Sequence, residues 1–231
     1  MQPHAVQLFA TCLGDLVLPD AVADAEALLR DAGFEVRFPG GQVCCGQPAF
    51  NAGHRAAARR VGRTFVRAFE RDAPVVVPSG SCATMLLHYL PELLGVEPYD
   101  VWELTAFLDA HSVAPPRRND GHSVAYHDSC HMLRELEIAA APRRLLERSG
   151  ATIVEMPRPD LCCGFGGTFS VRQPEVSVAM ADDKLAAARE AGTLVSADPG
   201  CVMHLRARAA RAGGPNVLHV ATALARGIGA T

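Results

Sequence analysis

The chain has 231 residues, of which 49% are hydrophobic and 20% are charged, and its formal net charge is −3 at pH 7. This composition is typical of a soluble globular protein with one large or two small domains, and it excludes a disordered chain. Nucleic acid is not an expected partner, because the chain has no basic excess to neutralise phosphates. Lys184 is the only lysine, and we interpret the preference for arginine as a compositional bias.

The N-terminus and the apolar segments predict where the protein resides. Residues 1–6 carry no positive n-region before their short apolar run, so a secretory signal peptide is not indicated. No apolar segment approaches the roughly 18 residues that a transmembrane helix requires. We therefore expect a cytoplasmic protein with no transmembrane segment. In that reducing compartment its eight cysteines are expected to be metal ligands or redox groups rather than structural disulfides.

Short apolar runs alternate with longer amphipathic runs along the chain. In chain order, the first half predicts a strand at 6–10, a helix at 21–32, a strand at 34–38, a helix at 52–71 and a strand at 75–77. The second half predicts a strand at 123–127, a helix at 138–148, a strand at 152–155, a helix at 174–191 and a strand at 194–197. This succession predicts the α/β class, with two pseudo-symmetric repeated βαβ domains and mainly parallel sheets.

A segment rich in proline and charge separates the two halves. Residues 114–121 interrupt the hydrophobic periodicity on both sides. We therefore predict a first domain at 1–117 and a second at 118–231.

The cysteines form two sets with the same spacing. Cys130, Cys162 and Cys163 follow Cys12, Cys44 and Cys45 by 118 residues each, and Cys201 follows Cys82 by 119. We call Cys12, Cys44, Cys45 and Cys82 the first thiol set, and Cys130, Cys162, Cys163 and Cys201 the second thiol set. Buried apolar packing is the ordinary role of a free cysteine, but two sets at matching spacing favour two metal centres.

The predicted strands explain how distant cysteines could meet. Cys12, Cys82, Cys130 and Cys201 each follow the end of a predicted strand, and the carboxyl ends of parallel strands form one edge of a sheet. The helices expected after Cys82 and Cys201 would favour thiolates through their dipoles. Adjacent cysteines are poor disulfide partners, but both can reach a multi-iron cluster. A single zinc ion could also take four thiolates, although zinc sites more often use C-x2-C knuckles.

Glycines follow both cysteine pairs. Gly46 comes after the first pair, and Gly164, Gly166 and Gly167 come after the second, which lets the backbone turn tightly around a bulky cofactor. We predict that these four glycines contribute to cofactor binding. A phosphate-binding loop is the alternative at 164–167, but the strand, helix and acidic residue of a dinucleotide fingerprint are missing.

These motifs resemble the cysteine-rich, or CCG, domain family, in which a cysteine, a Cys-Cys-Gly and a C-x-x-C follow one another, usually in duplicate. The resemblance spans nearly the whole chain, and the short two-domain form is most similar to the lactate utilization branch. That branch is related to the catalytic subunit of heterodisulfide reductase and to the iron-sulfur subunit of glycolate oxidase. The first cysteine of each C-x-x-C is replaced here, by Ser79 and by Asp198. This departure puts five-thiolate cluster chemistry in doubt and leaves four thiolates per half.

The resemblance implies that the eight cysteines bind iron-sulfur clusters, with four cysteines in each half for a [4Fe-4S] cluster. Zinc in one of the two sites is the alternative. Asp198 is a possible additional metal ligand because it occupies a motif position. His127, His131 and His204 lie near the second thiol set in sequence and could act as metal ligands or proton donors. Surface or supporting roles are favoured over these for all three. No catalytic residue is indicated.

The implied function is an electron-transfer subunit of an oxidoreductase that converts L-lactate to pyruvate. The chain lacks the ferredoxin C-x2-C-x2-C-x3-C run and any flavin or nicotinamide fingerprint. Partner subunits are therefore expected, including a ferredoxin-type iron-sulfur protein, and contact with the 2-hydroxy acid is expected to be indirect. The alternatives are a heterodisulfide or thiol-disulfide reductase subunit and a non-enzymatic zinc-binding scaffold.

Overall fold

The computed structural model describes residues 5–229 and contains two four-stranded parallel sheets. The strand order is β2-β1-β3-β4 in one sheet and β6-β5-β7-β8 in the other. All pairings are parallel, for example Leu8 with Val76 and Tyr126 with Val195. The predicted α/β class and the repeat are therefore confirmed.

The first half contains four strands and seven α-helices. In chain order they are β1 (Ala5–Leu8), α1 (Cys12–Val17), α2 (Pro19–Asp31), β2 (Glu35–Arg37), α3 (Gln47–Asn51), α4 (Arg55–Ala68), β3 (Val75–Val77), α5 (Gly80–Thr84), α6 (Leu90–Leu94), β4 (Val101–Glu103) and α7 (Leu104–Ala110). A π-helical turn at Met85–Tyr89 joins α5 to α6.

The second half repeats this order. Its elements are β5 (Ser123–Tyr126), α8 (Cys130–Arg134), α9 (Ala140–Arg148), β6 (Thr152–Ile153), α10 (Thr168–Arg172), α11 (Pro174–Ala187), β7 (Thr193–Ser196), α12 (Pro199–Ala212), β8 (Asn216–His219) and α13 (Val220–Ala225). A short 3-10 helix at Arg189–Ala191 follows α11. The α12 helix stands where α5 and α6 stand in the first half, so the two halves correspond element by element.

Two features differ from the sequence-based expectation. The helix predicted at 52–71 corresponds to α4, which is shorter, and a separate helix, α3, precedes it; Gly53, with a positive φ of 83°, lies between the two. The fourth strand of each sheet, β4 and β8, was not predicted. Each of these strands runs directly into a helix, α7 or α13, so no turn residue separates its apolar run from the helical pattern.

The halves share one hydrophobic core. Val6, Leu29 and Phe107 of the first half belong to the same buried cluster as Leu145 and Leu224 of the second. Burying one such side chain contributes roughly 1.5–3 kcal/mol before the entropy of ordering the chain is subtracted. The two halves therefore bury an apolar interface between them. The predicted boundary between residues 117 and 118 remains a proposal.

Helices cross between the halves in matched pairs. The α2 helix packs on α13 and α7 packs on α9, while α1 contacts α12 and α5 contacts α8. Because α2 corresponds to α9 and α7 to α13, each contact has a counterpart with the halves exchanged. The halves are thus related by a pseudo-twofold arrangement, which brings both carboxyl edges of the sheets to one side. Across residues 5–229, every helix falls short of the length and apolarity that a membrane crossing requires.

Candidate metal centres

The first thiol set gathers at the carboxyl edge of the first sheet. Cys12 begins α1 after β1, Cys44 and Cys45 lie in the loop after β2, and Cys82 lies in α5 after β3. The sulfur of Cys12 lies 3.4 Å from that of Cys44, and the sulfur of Cys45 lies 3.2 Å from that of Cys82. Residues up to 70 positions apart therefore present their thiols together, because parallel strands end at a common edge.

The second thiol set has the same arrangement at the second sheet. Cys130 begins α8, Cys162 and Cys163 precede α10, and Cys201 lies in α12. The sulfurs of Cys163 and Cys201 lie 3.1 Å apart. In each half the second cysteine of the pair and the last cysteine are buried, whereas the other two are half-buried. Each set is thus anchored on its buried side and open on the other.

The thiols of each set differ in acidity. A hydrogen bond from the Cys12 thiol lowers the pKa of Cys44 to about 3, with help from the backbone N–H of Gly46 at 3.5 Å. In the second set, hydrogen bonding by Cys130 and by the N–H of Gly164 lowers the pKa of Cys162. In each half the first cysteine of the pair is therefore the thiol whose hydrogen bonds favour the thiolate, the form in which cysteine binds metals.

The glycines after the cysteine pairs are required by geometry. Gly46 and Gly164 have φ values of 90° and 89°, which disfavour any other residue. A Cβ at Gly46 would lie 3.2 Å from the Ala58 carbonyl oxygen, and one at Gly164 would lie 2.4 Å from that of Ser177. These glycines let each cysteine pair approach the following helix, α4 or α11. The cofactor-binding roles predicted for Gly46, Gly164, Gly166 and Gly167 remain proposals.

Both thiol sets face one cavity of about 350 Å³ between the halves. Gln47 and His131 meet across it, with 3.1 Å between the amide nitrogen and Nε2. His131 also places Nδ1 3.6 Å from the sulfur of Cys130. The cavity is lined by Cys12, Cys45, Cys82, Cys130, Cys162, Cys163 and Cys201, and by Gly166 and Gly167. A molecule in this space would contact both sets.

Asp198 connects the helices that carry the last cysteines. Its Oδ1 accepts a hydrogen bond from the N–H of Gly200 at 3.1 Å, which caps α12. Its Oδ2 accepts one from the N–H of Ser81 in the first half at 2.8 Å. Ser79, at the corresponding position, caps only α5, through the N–H of Cys82 at 3.3 Å. Since both carboxylate oxygens of Asp198 are engaged, the structure gives it a capping role, and metal ligation by Asp198 remains a proposal.

The surroundings of the two sets differ in polarity. Phe9 and Phe65 lie in the aromatic core beneath the first set, with ring centroids 5.7 Å apart. The corresponding residues of the second half are His127 and Lys184, both buried. The pKa of His127 is lowered to about 3 by burial and by the charge of Lys184.

Lys184 is a site residue that the composition did not reveal. Its ammonium donates to the carbonyl oxygens of Pro159 and Arg158 at 3.0 and 3.3 Å. Burial lowers its pKa, and the charges of Cys163 and Cys162 oppose that shift. The sequence analysis assigned no role to this lone lysine, because its burial is visible only in the fold. His204 instead lies with Nε2 3.3 Å from the hydroxyl of Ser177.

The donor set fits a soft metal centre. Iron-sulfur clusters and zinc both bind through cysteine thiolates. Each half offers four thiols, and the first cysteine of the pair is the one whose surroundings favour the thiolate. The half-buried sulfurs leave room on the cavity side, and the glycine turns keep bulky side chains away from it.

A duplicated parallel fold with four thiols at each sheet edge defines a class of cysteine-rich metal-binding proteins. The chain belongs to the cysteine-rich domain family, CCG, whose model matches residues 6–87 and 124–206. The family expected from the cysteine motifs is therefore confirmed.

Two relatives match this chain over nearly their whole length. The chain is 39% identical over 242 residues to Lactate utilization protein A 2 of Bacillus cereus (strain 03BB102), covering 96% of this chain and 98% of that protein. Lactate utilization protein A of Exiguobacterium sp. is also 39% identical, with the same coverage. A hypothetical protein from Helicobacter pylori shares the fold, with a TM-score of 0.61 and 9% identity over 99% of this chain and 50% of that one.

Proposed function

We propose that this chain is the iron-sulfur electron-transfer subunit of a multi-protein oxidoreductase that converts L-lactate to pyruvate. The observation that carries the proposal is the pair of four-thiol sets facing one cavity. Each set would hold a [4Fe-4S] cluster, which supplies one-electron chemistry when bound. A role in lactate utilization is supported by relatives of that name, which match over nearly their whole length.

The residues of this chain would bind and tune the centres rather than activate the substrate. Oxidation of a 2-hydroxy acid to a 2-oxo acid releases two electrons and two protons, which the complex must pass on. The buried sulfurs would fix each centre to its sheet, and the half-buried ones would hold its cavity side. Gly46 and Gly164 would orient the cysteine pairs, and Asp198 would keep α5 and α12 together beneath the centres.

Partner subunits follow from what the sequence lacks. Without a flavin or nicotinamide fingerprint, the chain needs a second protein to remove hydride or its equivalent from lactate. A ferredoxin-type iron-sulfur protein is the proposed electron-transfer partner. The cavity between the halves is the surface at which electrons would enter or leave, because both thiol sets open onto it.

Anaerobic purification with iron, sulfide and zinc analysis tests this function. We expect a brown protein with about four iron and four sulfide per thiol set, and an electron paramagnetic resonance signal on reduction. Variants Cys45→Ser and Cys163→Ser should each lose one centre. Turnover of lactate by the reconstituted complex should then fall to background. Iron-replete protein with no effect of either variant on lactate oxidation would contradict the proposal.

A zinc-holding scaffold is the second candidate, and one observation favours it. A ring nitrogen of His127 and the sulfurs of Cys163 and Cys201 lie within 4.8 Å of one another, and mixed sulfur and nitrogen donors are typical of zinc sites. A colourless protein with zinc in both halves would establish the scaffold.

Brown protein that reduces a small heterodisulfide, but does not support lactate oxidation, would establish a reductase subunit instead.

A further inference from the structure

His127 stands where the first half has an aromatic residue. Its backbone N–H donates to the Val195 carbonyl oxygen at 2.8 Å, as the N–H of Phe9 donates to that of Val76 at 3.0 Å. The two residues therefore extend β5 and β1 by the same hydrogen bond. Any difference in what their side chains do reflects the side chains and not the backbone position.

The side chain of His127 lacks the partners that a buried polar group needs. It is fully buried, with 0% of its surface exposed. Within residues 5–229, neither ring nitrogen has a hydrogen-bond partner. A buried polar atom without a partner costs about 1–3 kcal/mol, so two such atoms on one ring indicate a partner outside the polypeptide.

The geometry identifies the kind of partner. A ring nitrogen of His127 and the sulfurs of Cys163 and Cys201 lie within 4.8 Å of one another. Metal bonds of about 2.0 Å to nitrogen and 2.3 Å to sulfur place two tetrahedral ligands about 3.5 Å apart. The three atoms thus surround a space of the size that one metal atom fills. Imidazole together with thiolate suits zinc and iron.

We infer that His127 is a protein donor of the second centre, bound through a ring nitrogen beside Cys163 and Cys201 either to a single metal ion or to a cluster iron that one of the four thiols leaves open, and that the first centre has no such donor. This inference rests on the proposed function only in requiring a metal in the second thiol set. The first centre then has sulfur donors alone, because Phe9 fills the corresponding place. The two centres have different donor sets despite their matched cysteines.

X-ray absorption of the intact, anaerobically purified chain tests this inference. At the absorption edge of whichever metal is bound, we expect one nitrogen neighbour at about 2.0–2.1 Å in addition to sulfur. His127→Phe, which copies Phe9, should lose that nitrogen. His131→Phe is the matched control, since His131 also lies next to a cysteine of the set, and it should retain the nitrogen.

A second measurement needs no variant, so a folding defect cannot obscure it. For iron-loaded protein, pulsed electron paramagnetic resonance of the reduced wild type should show nitrogen coupling that changes when only histidine is labelled with ¹⁵N. For zinc-loaded protein, cobalt substitution provides the paramagnetic probe. Metal bound with sulfur neighbours alone, and no response to labelled histidine, would overturn the role of His127 and leave the proposed function intact. Absence of metal from the second thiol set would overturn both.

Discussion

Lys184 is the cation that distinguishes the second thiol set from the first. It is buried, and its charge acts on Cys162, Cys163 and Cys201. Its counterpart, Phe65, is an uncharged ring in the core of the first half. A buried cation stabilises the more negative, reduced form of a nearby centre. Lys184 should therefore raise the reduction potential of the second centre, whereas the negative charge of Asp198, which acts on Cys201 in the opposite sense, should lower it.

The charge of Lys184 can be removed with little change in volume. In Lys184→Met, we expect the midpoint potential of the second centre to fall by roughly 40–90 mV, equivalent to about 1–2 kcal/mol for one electron. Lys184→Arg is the control, since it retains the charge and should retain most of the potential. A redox titration followed by electron paramagnetic resonance measures both. An unchanged potential in a metal-replete Lys184→Met protein would exclude an electrostatic role for this residue.

Helix starts are the elements that connect the two centres. The α5 and α12 helices each begin two residues before a cysteine, and Asp198 accepts hydrogen bonds from both. Ser79 bonds only within its own half. Replacing these two capping residues should therefore have unequal effects.

We expect Asp198→Ala to lower the free energy of unfolding by about 2–3 kcal/mol, because it removes a cap and a bond between the halves. Ser79→Ala should cost about 1 kcal/mol, because it removes one cap. Urea unfolding of both variants at matched metal content gives the comparison. Asp198→Asn should also change lactate turnover of the reconstituted complex more than Ser79→Ala does. Equal losses in the two alanine variants would show that the bond to Ser81 contributes nothing.

Glu103 caps α7 from a buried position. Its Oε2 accepts hydrogen bonds from the N–H groups of Thr105 and Ala106 at 2.8 and 3.1 Å, while Oε1 has no partner in the described part of the chain. Burial raises the pKa of Glu103 from 4.5 to about 7. The folded protein therefore holds this proton more tightly than the unfolded chain does, and stability must fall as the pH rises between these values.

Glu103→Gln removes that titration. Between pH 5 and pH 8 the wild type should lose roughly 3 kcal/mol of stability that the variant retains, since each pKa unit corresponds to about 1.4 kcal/mol. Buried histidines change stability in the acid part of this range in both proteins, so their effect cancels in the difference. Urea unfolding at several pH values measures it. Parallel pH curves for the two proteins would refute the buried, raised carboxyl.

The sequence located the first three strands of each half, because their apolar runs are bounded by helices and glycines. β4 and β8 were missed, because each passes into a helix, α7 or α13, without an intervening turn residue. Lys184, His127 and Asp198 show the same limit for the site: their partners lie in other elements or in the other half. Local sequence patterns hold no information about such contacts. The cysteine spacing can be recognised from the sequence because it occurs twice.

At the scale of the whole molecule, the shared core makes each half depend on the other. Exposing the faces of α2 and α7 would uncover Leu28, Leu29 and Phe107, which are buried in the intact chain. Ion pairs reinforce the same contacts, with Arg226 2.7 Å from the carboxylate of Asp24 across the α2 and α13 interface. Each half also has a buried cluster of its own, such as the one around Phe65 in the first half, but the shared cluster is larger than either.

Fragments 1–117 and 118–231 test this dependence and the proposed boundary together. Each fragment expressed alone should be largely unfolded at 25 °C or should aggregate, because its interface is apolar. Expressed together, they should form a one-to-one complex with the circular dichroism spectrum and metal content of the intact chain. Cutting at residue 90, inside α6, is the control and should prevent assembly. A stable, monomeric fragment 1–117 would contradict the shared core.

The exchanged helix pairs have an evolutionary consequence. Contacts in which α2 meets α13 while α9 meets α7 are those of an isologous interface, in which one surface binds a copy of itself. A single half paired with an identical copy would build the same cavity, with two identical centres. Joining the two copies in one gene frees each position to vary independently. Phe9 opposite His127, and Ser79 opposite Asp198, are positions at which the two repeated halves differ.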